Sequence, residues 1–192
     1  MQGEAARVGI LAIQGAVDKH RLALARVGAE AVPVLHPRDL AGLKALILPG
    51  GESTTIAKGL TRLALWDPIR AFADSGGAVL GTCAGAILLA RTIENHPVPS
   101  LGLMDLTAIR NAYGTQVDSF TAPADPGGNP DLAGMRCVFI RAPQLTEPGP
   151  DVEILLRVDG APVLVRQGRV LASTFHPELG DDGRLHQLLV DL

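Results

Sequence analysis

Aromatic side chains are scarce in this sequence of 192 residues, where one Trp, one Tyr and four Phe make up 3%. The interior must therefore be built from Ala, Val, Leu and Ile. Basic runs are missing too, and the formal net charge is -3. That leaves no electrostatic footprint for nucleic acid or an anionic membrane surface, so neither is expected as a partner. Only two cysteines occur, Cys83 and Cys137, too few for a disulfide framework or a four-ligand zinc site. The five histidines, His20, His36, His96, His176 and His186, include no H-x-x-x-H pair, and no metal is expected. Long apolar runs are also lacking. The longest uncharged stretch, Ser75 to Ala90, is interrupted by Gly76, Gly77, Gly81 and Gly85 and is shorter than the roughly 20 residues of a membrane span. The segment MQGEAARVGILAI has no long hydrophobic signal region, so a cytoplasmic protein is expected.

What is present is glycine and proline, 22 and 14 residues, among 47% hydrophobic and 19% charged residues. This composition describes one compact domain over 1–192 with many short elements, in which 1–6 is expected to be a flexible extension. Apolar runs of strand length lie at Val8 to Ile13, Ala31 to Leu35, Ala45 to Leu48 and Ala78 to Leu80. They do not alternate, which suits strands covered on both faces. Between them, Ala16 to Val27, Leu60 to Asp74 and Ala84 to Ile93 carry helical spacing of Leu, Ala and Ile. Further strands are expected at Cys137 to Ile140, Val152 to Val158, Val163 to Arg166 and Val170 to Phe175, with a closing helix from Asp182 to Leu192. The stretch Thr121 to Gly134, dense in Pro and Gly, reads as an exposed loop. The fold class is α/β, a three-layer, open, mainly parallel sheet with helices on both faces, whose ligands bind at the carboxyl ends of strands.

The segment Gly81-Thr82-Cys83-Ala84-Gly85 follows one of these strands and opens a helix. A nucleophile at such a strand-to-helix elbow sits in a strained backbone conformation and needs small residues on either side. The free N–H groups of the helix amino terminus are suited to a developing oxyanion. The competing reading of Cys83 is a buried structural cysteine in a glycine-rich turn. For Cys137, inside an apolar strand, that bland reading is the favoured one.

A thiol nucleophile needs a base, and the base needs an orienter. His176-Pro177-Glu178 follows the run Val170 to Phe175, so the imidazole would emerge at the same sheet edge as the elbow. Glu178 could hold it in the tautomer that accepts the thiol proton. Taken alone, H-P-E would be an ordinary loop. The third segment, Pro49-Gly50-Gly51-Glu52-Ser53-Thr54-Thr55, lets backbone N–H groups approach a ligand closely, and an ordinary strand-helix turn fits it equally well. It does not match a nucleotide phosphate loop.

The motifs GILAIQGAVDKH, LILPGGESTT, GTCAGAILLA, GLMDLTAIRNAYGTQVDSF, FIRAP and TFHPEL together resemble the glutaminase subunits of two-protein pyridoxal 5'-phosphate synthases. These form a branch of the class I, triad-type glutamine amidotransferases. The resemblance implies a catalytic triad of Cys83, His176 and Glu178, and contacts to L-glutamine from Gly51, Glu52, Ser53, Arg110, Ile140 and Arg141. It implies oxyanion donors at Gly51 and Ala84, no cofactor, and a synthase subunit as partner in a hetero-oligomeric complex. An arginine fork suits a carboxylate, so Arg110 or Arg141 would hold the α-carboxylate of the substrate. Two positions depart from the family pattern, Thr115 where Arg is usual and Thr121 where Glu is usual. Two other readings stay open: a glutaminase serving a different acceptor, and a silent regulatory module on the same fold. A flavodoxin-like flavin binder is poorly supported by three segments that all fit amidase chemistry.

Overall fold

The computed structural model describes residues 5–96, 98–111, 119–127 and 129–192. Thr115 and residues 1–4 of the expected extension lie outside the described residues. Among the described residues, thirteen strands run in chain order: β1 (Arg7–Leu11), β2 (Glu30–Val34), β3 (Ala45–Leu48), β4 (Ala78–Thr82), β5 (Ala90–Glu94), β6 (Met104–Ile109), β7 (Phe120–Pro123), β8 (Asp125–Pro126), β9 (Arg136–Phe139), β10 (Gln144–Thr146), β11 (Glu153–Val158), β12 (Ala161–Gln167) and β13 (Val170–Ser173). Five helices accompany them: α1 (Val17–Arg26), α2 (Ser53–Arg62), α3 (Trp66–Asp74), α4 (Ala84–Leu89) and α5 (Arg184–Asp191).

Eight strands form one sheet in the order β2-β1-β3-β4-β13-β12-β11-β8. The strands from β2 to β13 pair in parallel, and β12, β11 and β8 extend the sheet antiparallel. Side chains alternate between two cores along each central strand. In β3, Ala45 and Ile47 face one core with Leu24, Leu185 and Leu189 of α1 and α5, while Leu46 and Leu48 face the other with Ile56, Leu60, Ile69 and Leu88 of α2, α3 and α4. This is why the strand runs carry no polar alternation: both faces are covered, and each buried Leu or Ile contributes about 1.5–3 kcal/mol of transfer free energy. The expected α/β class holds.

Three readings of the sequence are corrected. The helix expected over Ala84 to Ile93 stops at Leu89, and Ala90–Glu94 is a strand paired with β6 in a small sheet ordered β10-β6-β5. Leu88 then gives its carbonyl to Leu101 N–H at 2.7 Å instead of continuing a helix. The expected loop Thr121 to Gly134 contains β8 and most of β7, which pairs with β9, and it buries Ala124 and Leu132. Its prolines sit on short edge strands and at the start of a 3-10 turn, where the missing N–H costs nothing. The helix expected over Leu60 to Asp74 is two helices, broken at Ala64, whose φ is 52°. Ahead of β1, Ala6 accepts a hydrogen bond from Glu30 N–H, so pairing begins before Arg7.

Candidate active site

β4 and β13 are adjacent and parallel, with Thr82 beside Ser173. Their carboxyl ends therefore deliver two loops to one edge, Cys83 from the first and His176 from the second. Cys83 adopts φ 49° and ψ −105°, a region that side chains avoid, and α4 starts at the next residue. The turn is held by backbone hydrogen bonding from Cys83 N–H to Ser173 O at 2.8 Å. Behind it the helix lies against β3 so closely that a Cβ at Gly85 would stand 1.9 Å from Leu48 O. Gly85 is thus fixed by the approach of two backbones, and the expected elbow is present.

His176 donates or accepts at Nδ1 with Glu178 Oε1, 2.8 Å away, and Glu178 is only 3% exposed. A buried carboxylate facing Nδ1 assigns that nitrogen a proton and leaves Nε2 to exchange one with Cys83. Burial opposes charge on His176, but hydrogen bonds to Cys83 and Glu178 and the fields of both outweigh it and move the pKa from 6.5 up to about 10. Burial likewise opposes the charge of Glu178, yet its contacts with His176 and His20 hold its carboxyl below the usual range. The Cys83 thiol lies 3.8 Å from the carbonyl of Ile140.

A cleft of about 410 Å³ opens over this pair. Every other residue expected at the site lines it: Gly51, Glu52, Ser53, Ala84, Arg110, Ile140 and Arg141. Ala84 is the first residue of α4, so its N–H has no acceptor within the helix. The Gly50–Gly51 peptide is packed on the loop after β1, where a Cβ at Gly15, itself at φ 114°, would stand 1.9 Å from Gly50 O. A trans peptide points its N–H opposite its carbonyl, so Gly51 N–H faces away from Gly15. Gly50 N–H donates to Thr82 Oγ1 at 3.1 Å, and Glu52 N–H donates to Gln14 Oε1 at 2.8 Å. Arg110 donates to His96 O and to Thr54 Oγ1, and Arg141 lies 3.5 Å from Glu52. Thr121 is away from this cleft, on β7.

Gln14, Ile87, Asn111 and Pro143 also line the cleft and had not been marked as site residues. Gln14 and Asn111 stand in two of the motifs that carried the resemblance, which was the available signal. Cys137 has zero exposure, and burial together with the charge of Asp182 pushes its thiol up to about 12. Among the described residues, no group of three or more His, Cys, Asp or Glu side chains is arranged to hold a metal ion.

Residues 10–192 match the SNO glutamine amidotransferase family. The chain belongs to that family. It is 52% identical over 190 residues to the pyridoxal 5'-phosphate synthase subunit PdxT of Deinococcus radiodurans, with 96% of each chain covered. It is 50% identical to the subunit of the same name from Thermus thermophilus, again with 96% of each covered. A crystal structure of a glutamine amidotransferase superposes with a TM-score of 0.90 at 48% identity, covering 96% of this chain and 97% of that one. PurLQS from Thermotoga maritima, at 18% identity and a TM-score of 0.69 over 98% and 99%, shares the fold alone. The expected enzyme class, a glutamine amidotransferase, therefore holds. No helix among the described residues is long and apolar enough to cross a membrane.

The buried histidines around the site predict a pH profile for stability. Burial, opposed by the charge of Glu178, lowers His20 from 6.5 to about 4 and His186 from 6.5 to about 3. Both therefore stay neutral in the fold while the unfolded chain takes up protons below about pH 6.5. The contribution of these two histidines is then full above pH 6.5 and falls as the pH drops toward 4, by up to about 1.4 kcal/mol per pH unit for each, whereas that of His176, raised to about 10, is full below pH 6.5 and so constant over this range. The depressed Glu178 acts in the same direction as His20 and His186. Urea denaturation between pH 7 and 4 should show this loss, and His186→Leu should flatten it. An unchanged slope in that variant would contradict the assignment.

Proposed function

We propose that this chain acts as one domain that hydrolyses L-glutamine to L-glutamate and ammonia, and that it serves a pyridoxal 5'-phosphate synthase subunit. The observation that carries the reading is the meeting of Cys83 with a His176–Glu178 pair beneath a cleft lined by two arginines and by Ala84 and Gly51. Cys83 is the nucleophile. His176 holds the thiol proton as Sγ attacks the side-chain amide carbon, and the tetrahedral oxyanion is held by the N–H groups of Ala84 and Gly51. As the C–N bond breaks, His176 returns the proton to the leaving ammonia. Its raised pKa suits it to keep that proton until the nitrogen needs it. Water, deprotonated by His176, then attacks the γ-glutamyl thioester, releasing glutamate and restoring the thiol.

Glu178 orients the imidazole. Arg110 or Arg141 pairs with the α-carboxylate of the substrate, and Glu52, Ser53 and Ile140 complete its surroundings. The synthase partner is taken from the names of the relatives, which are subunits of a pyridoxal 5'-phosphate synthase. A cytoplasmic setting goes with the reading and with two thiols, Cys83 and Cys137, that are free.

Ammonia released without an acceptor is lost to solvent, so the isolated chain is expected to be a poor glutaminase. The Gly50–Gly51 peptide supplies the means. Glycine tolerates more than one orientation there, and turning the peptide adds or removes one oxyanion donor. Loss of such a donor lowers turnover by about 100- to 1,000-fold. Glutamate release by the purified chain should be low alone and rise by that order with saturating synthase subunit. Equal rates in the two conditions would rule out the switch, and no release in either would rule out the glutaminase reading.

A further inference from the structure

Behind the Cys83–His176–Glu178 line is a buried polar group that the reaction does not use. His20 on α1 and His186 on α5 are both wholly buried, and His20 Nδ1 is 3.0 Å from His186 Nε2. The other face of His20 turns to the site: its Nε2 is 3.5 Å from Glu178 Oε2 and 3.4 Å from Thr82 Oγ1. Among the described residues no group within hydrogen-bonding geometry serves Glu178 Oε2 or His186 Nδ1, which leaves His20 Nε2 at 3.5 Å as the polar atom facing that oxygen. Thr82 in turn accepts the N–H of Gly50. One imidazole therefore stands between the orienting carboxylate and the strand end that holds the Gly50–Gly51 loop.

Both rings are neutral, so each carries one proton, and the 3.0 Å contact needs one proton between them. Two arrangements satisfy that. If His20 donates from Nδ1, its Nε2 lone pair faces a buried carboxylate oxygen, and His186 Nδ1–H is a buried donor without an acceptor. That arrangement gains only a 3.4 Å hydroxyl contact from Thr82. If His186 donates from Nε2, His20 Nε2–H points at Glu178 Oε2, and the one group left over is a neutral acceptor on His186. An unpaired buried anion and an unpaired buried donor are costlier than one unpaired neutral nitrogen, so the second arrangement wins.

We propose that His20, as the Nε2–H tautomer fixed by a hydrogen bond from His186, is a positioning residue that engages the second oxygen of Glu178 and keeps its first oxygen aligned on His176. The inference rests on the role of Glu178 proposed above. It makes a relay of four side chains behind Cys83: His186 sets the tautomer of His20, His20 holds Glu178, and Glu178 orients His176. Each carboxylate oxygen then has its own imidazole. The cluster crosses α5, α1 and the ends of β4 and β13, so rotation of Glu178 about its terminal bond would break contacts on both sides of the sheet edge.

The test uses two replacements that place an amide differently. In His20→Gln the side-chain NH₂ reaches the Nε2 position and can still donate to Glu178, whereas in His20→Asn it reaches only the Nδ1 position. With saturating synthase subunit present, His20→Asn should lower kcat for glutamine hydrolysis by about 10- to 100-fold, the size seen when outer hydrogen-bond partners are lost at metal sites. KM should stay within about twofold, and His20→Gln should recover most of the loss. In a Glu178→Gln background, His20→Asn should add little, because the oxygen it serves has already been changed. If Glu178→Gln is impaired but His20→Asn is not, the positioning role is overturned and the triad stands. If Glu178→Gln is itself unimpaired, both fall. The unmodified protein offers a check that needs no variant: ¹⁵N spectra of the histidine rings should show His20 protonated at Nε2 and bare at Nδ1. The opposite tautomer would overturn the proposal whatever the variants do.

Discussion

Cys83→Ala abolishes glutamine hydrolysis, with or without the synthase subunit, while the fold survives. The expected loss is on the order of 10⁶-fold in kcat, the size found when the nucleophile of a triad hydrolase is removed. Among the described residues lining the cleft, no other group can replace it. The hydroxyl of Ser53 opens α2 instead of standing at the elbow, and Cys137 is sealed in the core with its thiol pushed up to about 12. Alanine fits the elbow because the side chain of Cys83 is small and its neighbours Ala84 and Gly85 keep the close approach to β3. The control is Cys137→Ala, which should lower the unfolding free energy measured in urea by about 1 kcal/mol and leave turnover intact. Residual turnover in the Cys83 variant above the uncatalysed rate would remove the nucleophile from the account.

His176→Asn and Glu178→Gln should separate a base from its orienter. Without His176 nothing takes the thiol proton or returns it to ammonia, and turnover should fall nearly as far as in the Cys83 variant. Glu178→Gln keeps the shape but offers Nδ1 a neutral amide, so the favoured imidazole tautomer is no longer enforced and the imidazolium loses its counter-charge. A loss of about 10⁴-fold in kcat is expected, with substrate affinity little changed because Glu178 is behind His176 and away from the cleft. Steady-state kinetics in the complex measure both. A Glu178→Gln enzyme as active as the parent would reduce the site to a dyad.

Much of this site was legible because its chemistry is local in sequence. Gly-Thr-Cys-Ala-Gly follows an apolar run that can only be a covered strand, and His-Pro-Glu ends another, so the parallel pairing of β4 with β13 was enough to bring them together. The glycines were readable as close approaches, and the structure supplies the partner, Leu48 O for Gly85. The arginines were less so. Arg110 and Arg141 have the look of solvated charges until the cleft is assembled around them, and only the family resemblance pointed to them. His20 was legible only as the last residue of the motif GILAIQGAVDKH, with nothing to show what it does. On α1 it is a polar residue in a polar helix, and its partners are 158 and 166 positions away, at Glu178 and His186.

Where the elements were misread, tertiary pairing had overridden a local pattern. Ala84 to Ile93 has the spacing of a helix throughout, and Arg91-Thr92-Ile93 becomes a strand because β6 offers it an unpaired edge. The Pro/Gly-rich run after Phe120 becomes two short strands because β9 and β11 do the same. Neither partner strand is visible from within the segment. Both of these segments lie outside the parallel half of the eight-stranded sheet, whereas the break of the helix at Ala64 falls inside it, between β3 and β4, and leaves the site unchanged.

The central claim is a covalent one, that glutamine passes through a γ-glutamyl thioester on Cys83. It is tested most directly by acid-quenching the complex during turnover of glutamine labelled in its carbon chain and mapping the label by peptide mass spectrometry. The account predicts label on the peptide containing Cys83, removed by hydroxylamine and absent in Cys83→Ala. Steady turnover with label on no peptide, or on the peptide containing Cys137, would contradict it.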